Sequence, residues 1–430
     1  KTLTDQSTIT SSYTGGHMEH AEDKSIKRHN LIFFILLAVG GGTIFKAMYL
    51  REVFYYPWNE YFSLTNTQSG MLMSWLGFVG IISGAVSGII VDRFKNPKSI
   101  LTIAYLTMAA LAIWQSFRPS YQAMFIIVGF MSLVGNGLFL VSMTKIARLL
   151  ASDNEQGRYF GFLESGRGIA GTVLTLCAVA IVGLHGSSAV SIGFILRFDA
   201  AIYIILGFTS YYLFPKGVSA IENAAPKKMS DLISLLKSVK LWLAAFIISC
   251  VIFVYQGGAY LVPYLSDAYG MTPDQTAVIG MIRAYFLAFI ISPFAGLLAD
   301  KIGSSLKVMA SFFILGALIT ASFIFIPHDS RFLILLITLV LLLGALTFGM
   351  RGIMYAQVNE IRIPKVFTGT AMGILICIGF SPEAYVHLIF GYLLDTYKEF
   401  AYTLMFATIA VVLFAGALCS GLLYRINKKV

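Results

Sequence analysis

The sequence predicts an all-α membrane protein of twelve transmembrane helices in two six-helix halves, on three observations. Of its 430 residues, 57% are hydrophobic and only 12% charged, whereas soluble domains carry about 25% charged residues. Apolar stretches recur along most of the chain, several exceeding the roughly 20 residues needed to cross about 30 Å of hydrocarbon as a helix. A charged loop pattern occurs twice, at the equivalent place in each half.

Taken in order, residues 1–28 are polar and rich in Ser, Thr and His, and are expected to form a disordered tail. The run Gly15-Gly16-His17-Met18 reads as a remnant of recombinant expression and is set aside, and no cleavable signal peptide is read ahead of the first span. Apolar segments bounded by charges or turn residues fall at 30–50, 67–91, 98–117, 122–147, 157–184, 191–214, 240–266, 273–299, 305–327, 331–358, 366–394 and 400–424. They divide the chain into a first bundle over 29–214, a linker over 215–239, a second bundle over 240–425 and a basic tail over 426–430. The linker contains Pro215, Pro226 and a basic amphipathic stretch from Met229 to Lys237, expected to lie along the membrane surface as a short helix.

Placing the N-terminus in the cytoplasm puts 21 of the 31 Lys and Arg on the cytoplasmic side, Lys98, Lys145, Lys228 and Lys365 among them, against Arg51, Arg118, Arg331 and Lys398 outside. That asymmetry predicts both termini in the cytoplasm. The net charge of +10 does not indicate nucleic acid, because the basic residues sit in short loops between apolar segments rather than on one soluble face. Cys177, Cys250, Cys377 and Cys419 lie inside apolar segments without CxxC or His/Cys clustering, so no metal, cofactor or disulfide framework is expected. No paired catalytic carboxylates or nucleophile constellation stands out within the spans, and an enzyme is not expected.

Between spans two and three the chain reads Gly84-Ala-Val-Ser-Gly88-Ile-Ile-Val-Asp92-Arg93-Phe-Lys95-Asn-Pro-Lys98, and between spans eight and nine Gly296-Leu-Leu-Ala-Asp300-Lys301-Ile-Gly303-Ser-Ser-Leu-Lys307. Both resemble the loop signature of the major facilitator superfamily, G-x-x-x-D-[RK]-x-G-[RK]. The resemblance implies the facilitator fold and a gate in which these loops hold the cytoplasmic side shut, with Gly88 and Gly296 permitting close helix approach. The first copy departs from the signature, with Asn96-Pro97 where glycine and a base are usual.

Charged residues within spans cost about 2.5–3.5 kcal/mol each on the insertion scale and are usually retained for a task. Lys46, Arg167 and Arg283 lie deepest, and three unpaired cations would cost roughly 8–10 kcal/mol, which one neighbouring carboxylate would not offset. Glu164 and Arg167, at i and i+3, are expected to pair. Arg351 joins these cations as a candidate for anion binding, whereas Arg197, Asp199 and His387 read foremost as structural or interfacial. Glu164, Glu383 and His387 are the candidate proton carriers. Tyr255, Tyr260, Tyr285 and Tyr355 could bond a polar ligand while their rings pack.

The stretch Phe45 to Gly70, the run Ser142-Met-Thr-Lys145 and Gly161-Phe-Leu-Glu-Ser-Gly-Arg167-Gly-Ile-Ala-Gly171 are similar to parts of the organophosphate:phosphate antiporter family. That resemblance puts Lys46 near the family's span-one phosphate-binding arginine and Arg167 at its span-five histidine. The family's span-seven arginine falls at about Tyr255 or Gln256, leaving Arg283 to supply the lost charge. Arg351-Gly-Ile-Met-Tyr355, Thr368-Gly-Thr-Ala-Met-Gly373 and Phe380-Ser-Pro-Glu383 resemble YihN-like bacterial sugar-acid and sugar-phosphate permeases.

The expectation is a secondary transporter of a small organic anion (a sugar acid, carboxylate or phosphorylated metabolite). It would work as a monomer by alternating access in a bacterial cytoplasmic membrane, coupled to protons or a counter-anion. A multidrug or metabolite efflux pump of the same fold is the alternative.

Overall fold

The computed structural model describes residues 28–93, 97–150, 156–185, 188–215, 237–327, 329–361 and 375–428, and every regular element among them is helical. Helix α1 covers residues 28–43 and loosens into turns before a 3-10 turn, Leu50–Glu52. There follow α2 (Tyr55–Phe62), α3 (Asn66–Arg93), α4 (Pro97–Gln115), α5 (Tyr121–Ser132) and α6 (Leu140–Leu150), the last two joined through a π-turn, Leu133–Phe139. Next come α7 (Gln156–His185), α8 (Ser188–Tyr212), α9 (Val239–Gly257), α10 (Leu261–Tyr269) and α11 (Pro273–Met281). A second π-turn, Ile282–Phe286, leads into α12 (Leu287–Ile302), and α13 (Ser305–Ser322), α14 (Leu333–Ile353), α15 (Val386–Tyr397) and α16 (Glu399–Lys428) complete the chain.

Local chemistry sets several of these boundaries. Thr272 and Gln275 form a reciprocal capping box around Pro273 at the start of α11. Gly303 ends α12 with φ +72°, a conformation that favours glycine, and Ser304 then caps α13 through the Lys307 amide. The first apolar segment is helical only to residue 43, not to 50, and an unforeseen short helix, α2, follows it. After the Gly40-Gly41-Gly42 run the backbone tightens, with Lys46 N bonding Thr43 O at 2.9 Å. A Cβ at Gly42 would lie 2.3 Å from the Arg167 carbonyl oxygen, so only glycine lets α7 approach α1 this closely.

Nine helical stretches among the described residues are long and apolar enough to cross a membrane. With α1, α3 and the broken run ending in α15, they are consistent with the twelve expected crossings. Leu184, Phe325 and Ile334 are each more than 80% exposed, and many other large apolar side chains line the outside. Such a surface suits hydrocarbon, not water. The buried apolar side chains fall in two clusters. One runs from Phe33 to Leu206 with Ala277, the other from Leu241 to Leu423 with Tyr55. Helices α3 and α15 pack across the two sets, as does α7 against α11 and α12.

Candidate transport site

The loosened end of α1 builds one side of the site. Tyr203 on α8 accepts from the Ala47 amide at 3.1 Å and donates to the Thr43 carbonyl at 3.2 Å, stitching the turn that helical bonding no longer closes. This turn aims Lys46 inward, where it is 6% exposed. Its Nζ donates to Thr175 Oγ1 at 2.7 Å and lies 3.1 Å from the centroid of the Tyr285 ring, a cation–π contact. Lys46, Thr175, Tyr285 and Asp199 line one small cleft. Asp199 is 3% exposed and its Oδ2 has no hydrogen-bond partner.

One turn further on, Arg51 and Glu52 are buried as well. Arg51 donates from Nε to Ser69 Oγ at 2.6 Å and from Nη2 to Tyr260 Oη at 3.1 Å, and its Nη1 lies 3.4 Å from His387 Nδ1. His387 Nε2 stands 3.2 Å from Gln256 Oε1, so these two partners are satisfied by the neutral ring with its proton on Nε2. Glu52 Oε1 has no partner. The positive charges acting on Glu52 are, in falling order, Arg283, Arg351, Arg51 and Lys46.

Arg283 sits in the π-turn Ile282–Phe286, a local widening common at functional positions in helices. It is 3% exposed, and its Nε and Nη2 have no hydrogen-bond partner. Arg351, half-buried near the end of α14, places its guanidinium 3.9 Å from the Tyr255 ring centroid and 5.7 Å from that of Phe348. Tyr355 and Glu383 are half-buried beside it and feel its charge. The backbone carbonyl of Glu383 packs against Gly77, where a Cβ would come within 2.4 Å.

Several sequence candidates therefore meet around one centre: Lys46, Arg283, Arg351, Tyr255, Gln256, Tyr355, Glu383 and His387. Arg167 stands at its edge, donating from Nε to the Gly41 carbonyl at 3.2 Å. The side chain of Glu164, and so its expected pairing with Arg167, lies outside the described residues, as do the linker over 216–236 and Thr368 to Gly373. The side chains of Asp92 and Arg93 and the surroundings of Gly88 are likewise outside them. In the second gate loop Asp300 and Lys301 are exposed. The role expected of Gly296 is corrected, since a Cβ there would meet nothing within 4 Å and the residue does not mediate a close helix approach.

The carboxylate organising this end of the chain is one the sequence did not flag. Glu360 accepts from Ser304 Oγ at 2.9 Å, from Ser305 N and Oγ at 2.5 Å and from Leu306 N at 3.2 Å, capping α13 from a distance in sequence. Arg51, Glu52 and Thr175 were also missed. Arg51 and Glu52 lie just past the apolar run and read as loop charges, and Thr175 reads as an ordinary span residue.

Away from the gate loops, carboxylates bind the two sets of helices together. Asp395 on α15 accepts from Asn66 and Thr67 at the start of α3, and Asp267 on α10 accepts from Tyr56 and Tyr402, each at 2.6 Å.

The chain belongs to the Major Facilitator Superfamily, whose sequence model matches residues 31–386. Two Escherichia coli (strain K12) relatives are similar over most of their length. Inner membrane protein YihN is 29% identical over 404 residues, covering 92% of this chain and 96% of the relative. Inner membrane protein YqcE is 26% identical over 372 residues, covering 85% and 87%. Among solved structures, a bacterial homologue of the human lysosomal transporter Spinster, inward-facing and occupied, superposes with a TM-score of 0.70 at 13% identity over 94% of this chain and 97% of that one. The nucleoside transporter NupG gives 0.71 at 14% over 93% and 100%. The fold is that of a membrane transporter, not of an enzyme.

Proposed function

We propose that the chain carries a small organic anion, a sugar acid, carboxylate or phosphorylated metabolite, across the inner membrane by alternating access, with Arg283 as the principal anion-binding residue. The observation that carries the reading is the Arg283 guanidinium, 3% exposed with two nitrogens unpartnered. A buried charge left in that condition is costly unless a ligand completes it. The surrounding charge favours an anion, because Arg283, Arg351, Arg51 and Lys46 all act on Glu52, and the described carboxylates about this centre, Glu52, Glu383 and Asp199, are fewer than its four cations. Arg351 and Tyr255 would complete the ligand's shell, with Gln256 and Tyr355 at its polar margin and Arg167 at its edge.

The two apolar clusters support halves over 29–214 and 240–425 that rock as units about this centre. Inner-membrane residence is supported by the names of the two Escherichia coli relatives. An efflux pump for cationic compounds would place an excess of carboxylates where this chain has guanidinium groups.

A thermal-shift screen of the purified chain against hexonates, dicarboxylates and hexose phosphates tests the reading, because a ligand at a hundredfold its Kd stabilises the fold by about 2.7 kcal/mol. The expected result is a hit among these anions that is lost in Arg283→Ala. A panel in which only cationic or apolar compounds stabilise the protein overturns it.

A further inference from the structure

We infer that Asp199 and Lys46 form a proton-coupling site, in which a proton on the Asp199 carboxylate releases the Lys46 ammonium to bind Tyr285 across the seam between the halves. The inference rests on reading the chain as an alternating-access carrier, but it concerns the coupling ion and not the cargo.

The geometry carries the argument. Asp199 and Lys46 line the same cleft and are both buried, yet neither a hydrogen bond nor an ion pair joins them. Lys46 instead spends its charge on Thr175 of α7 and on the ring face of Tyr285, which comes from the π-turn before α12. An ionised carboxylate beside an ammonium, buried and with a free oxygen, would draw that ammonium to itself, because unpaired buried charge is costly. A protonated Asp199 removes both the cost and the pull. The arrangement is therefore that of a proton-loaded site, and Lys46 is the arm by which loading is felt in the other half.

The charged and titratable groups around Asp199 leave it to this role. Among the described residues Lys46 is the charge felt at Asp199, while Glu52 acts on Lys46 from further along the same segment. On α8 itself Tyr203 is engaged with Thr43 and Ala47. The faces of α4 and α2 toward α8 carry the phenols Tyr105 beside Gly207 and Tyr61 beside Gly193. From α7 the cleft receives Thr175, and from the other half Tyr285.

In the cycle this implies, a proton from water binds Asp199, and Lys46 docks on Tyr285 and draws α7 toward the π-turn. On reopening, the proton leaves to water on the opposite side and Lys46 swings to the carboxylate. No bond other than O–H forms or breaks.

The test uses the proton itself as probe and needs no substrate. Spin labels are placed at Leu176→Cys and Phe286→Cys, exposed positions on α7 and the π-turn, with the four native cysteines replaced by alanine. Their distance distribution is followed against pH in lipid nanodiscs, and infrared difference spectra follow the carboxylic-acid C=O stretch in parallel. The short-distance population should grow about five- to tenfold on acidification, the lower end for coupling between sites. Asp199→Asn should hold that population at every pH and delete one carboxyl band, whereas Asp199→Glu should keep a pH response. If Asp199→Asn does not fold, Lys46→Met carries the test, since it should abolish the distance response while the Asp199 band persists. A pH response unchanged in Asp199→Asn or Lys46→Met, or none in the wild type, overturns the inference. Anion binding without this titration sinks the coupling site alone, and titration without anion binding sinks the cargo reading alone.

Discussion

Replacing Asp395 by alanine should loosen the end of the bundle where α3 begins. Its Oδ1 accepts from Asn66 N at 3.2 Å and Nδ2 at 2.9 Å, and its Oδ2 from Thr67 N at 2.6 Å and Oγ1 at 2.5 Å. The carboxylate is thus the N-cap of α3, supplied from the other half and sited where the helix dipole favours negative charge. Losing a cap costs about 0.5–2 kcal/mol, and because Asp395 is exposed the lower part of that range applies. About 1 kcal/mol corresponds to a roughly fivefold change in an equilibrium constant. Asp395 lies one residue beyond the expected eleventh span. Partial burial pushes its carboxyl up, but the hydrogen bonds from Thr67 and Asn66 outweigh burial and hold it below the usual carboxylate range. A depressed carboxylate contributes fully above its unfolded value of about 3.9 and loses that contribution as pH falls through the folded value. Thermal unfolding at neutral pH should therefore show Asp395→Ala less stable than wild type, with the gap closing on strong acidification. Equal stability at neutral pH, or a gap indifferent to acid, would refute the reasoning.

Three further substitutions probe other parts of the account. Glu360→Ala should destabilise the fold by about 1–2 kcal/mol, because four backbone or hydroxyl donors at the start of α13 lose their acceptor. Unfolding in detergent would measure it, and Glu360→Gln should recover part of the loss. Tyr203→Phe should cost about 1–2 kcal/mol by stranding the Ala47 amide, read as a lower unfolding temperature. Arg331→Ala should leave the unfolding temperature unchanged, since its 2.8 Å bridge to Asp329 is solvent-exposed and such pairs contribute little.

The membrane fold was legible because its signal is summed over many residues. Twelve apolar runs, bounded by charges or turn residues, survive any single misreading. The site was legible only in part, because each member was judged by its distance from a span end. That rule found Arg283, which sits deep within its apolar run, whereas Lys46 stands only four residues from the expected end of its run at 50. It passed over Arg51 and Glu52, since nothing in the sequence signals that the chain stays buried past residue 50 through a 3-10 turn and α2. Asp199 read foremost as a structural or interfacial ion, although the cleft it lines is reached by Lys46 from a loosened turn, a feature that local propensity does not encode. Glu360 depends on a pairing across more than fifty residues, which no local pattern carries. Gly296 shows the converse error, in which a motif glycine was given a packing role that its open surroundings do not require.

The central claim is that a buried, incompletely bonded Arg283 receives an anion. Its most direct measurement is calorimetric titration of a stabilising anion into wild type, Arg283→Lys and Arg283→Ala in lipid nanodiscs. Two charge-assisted hydrogen bonds at about 1.5–3 kcal/mol each predict a loss of affinity in Arg283→Ala of about a hundredfold or more. Arg283→Lys, which keeps the charge but loses the planar fork, should fall between the two. Equal affinity in all three proteins would contradict the account.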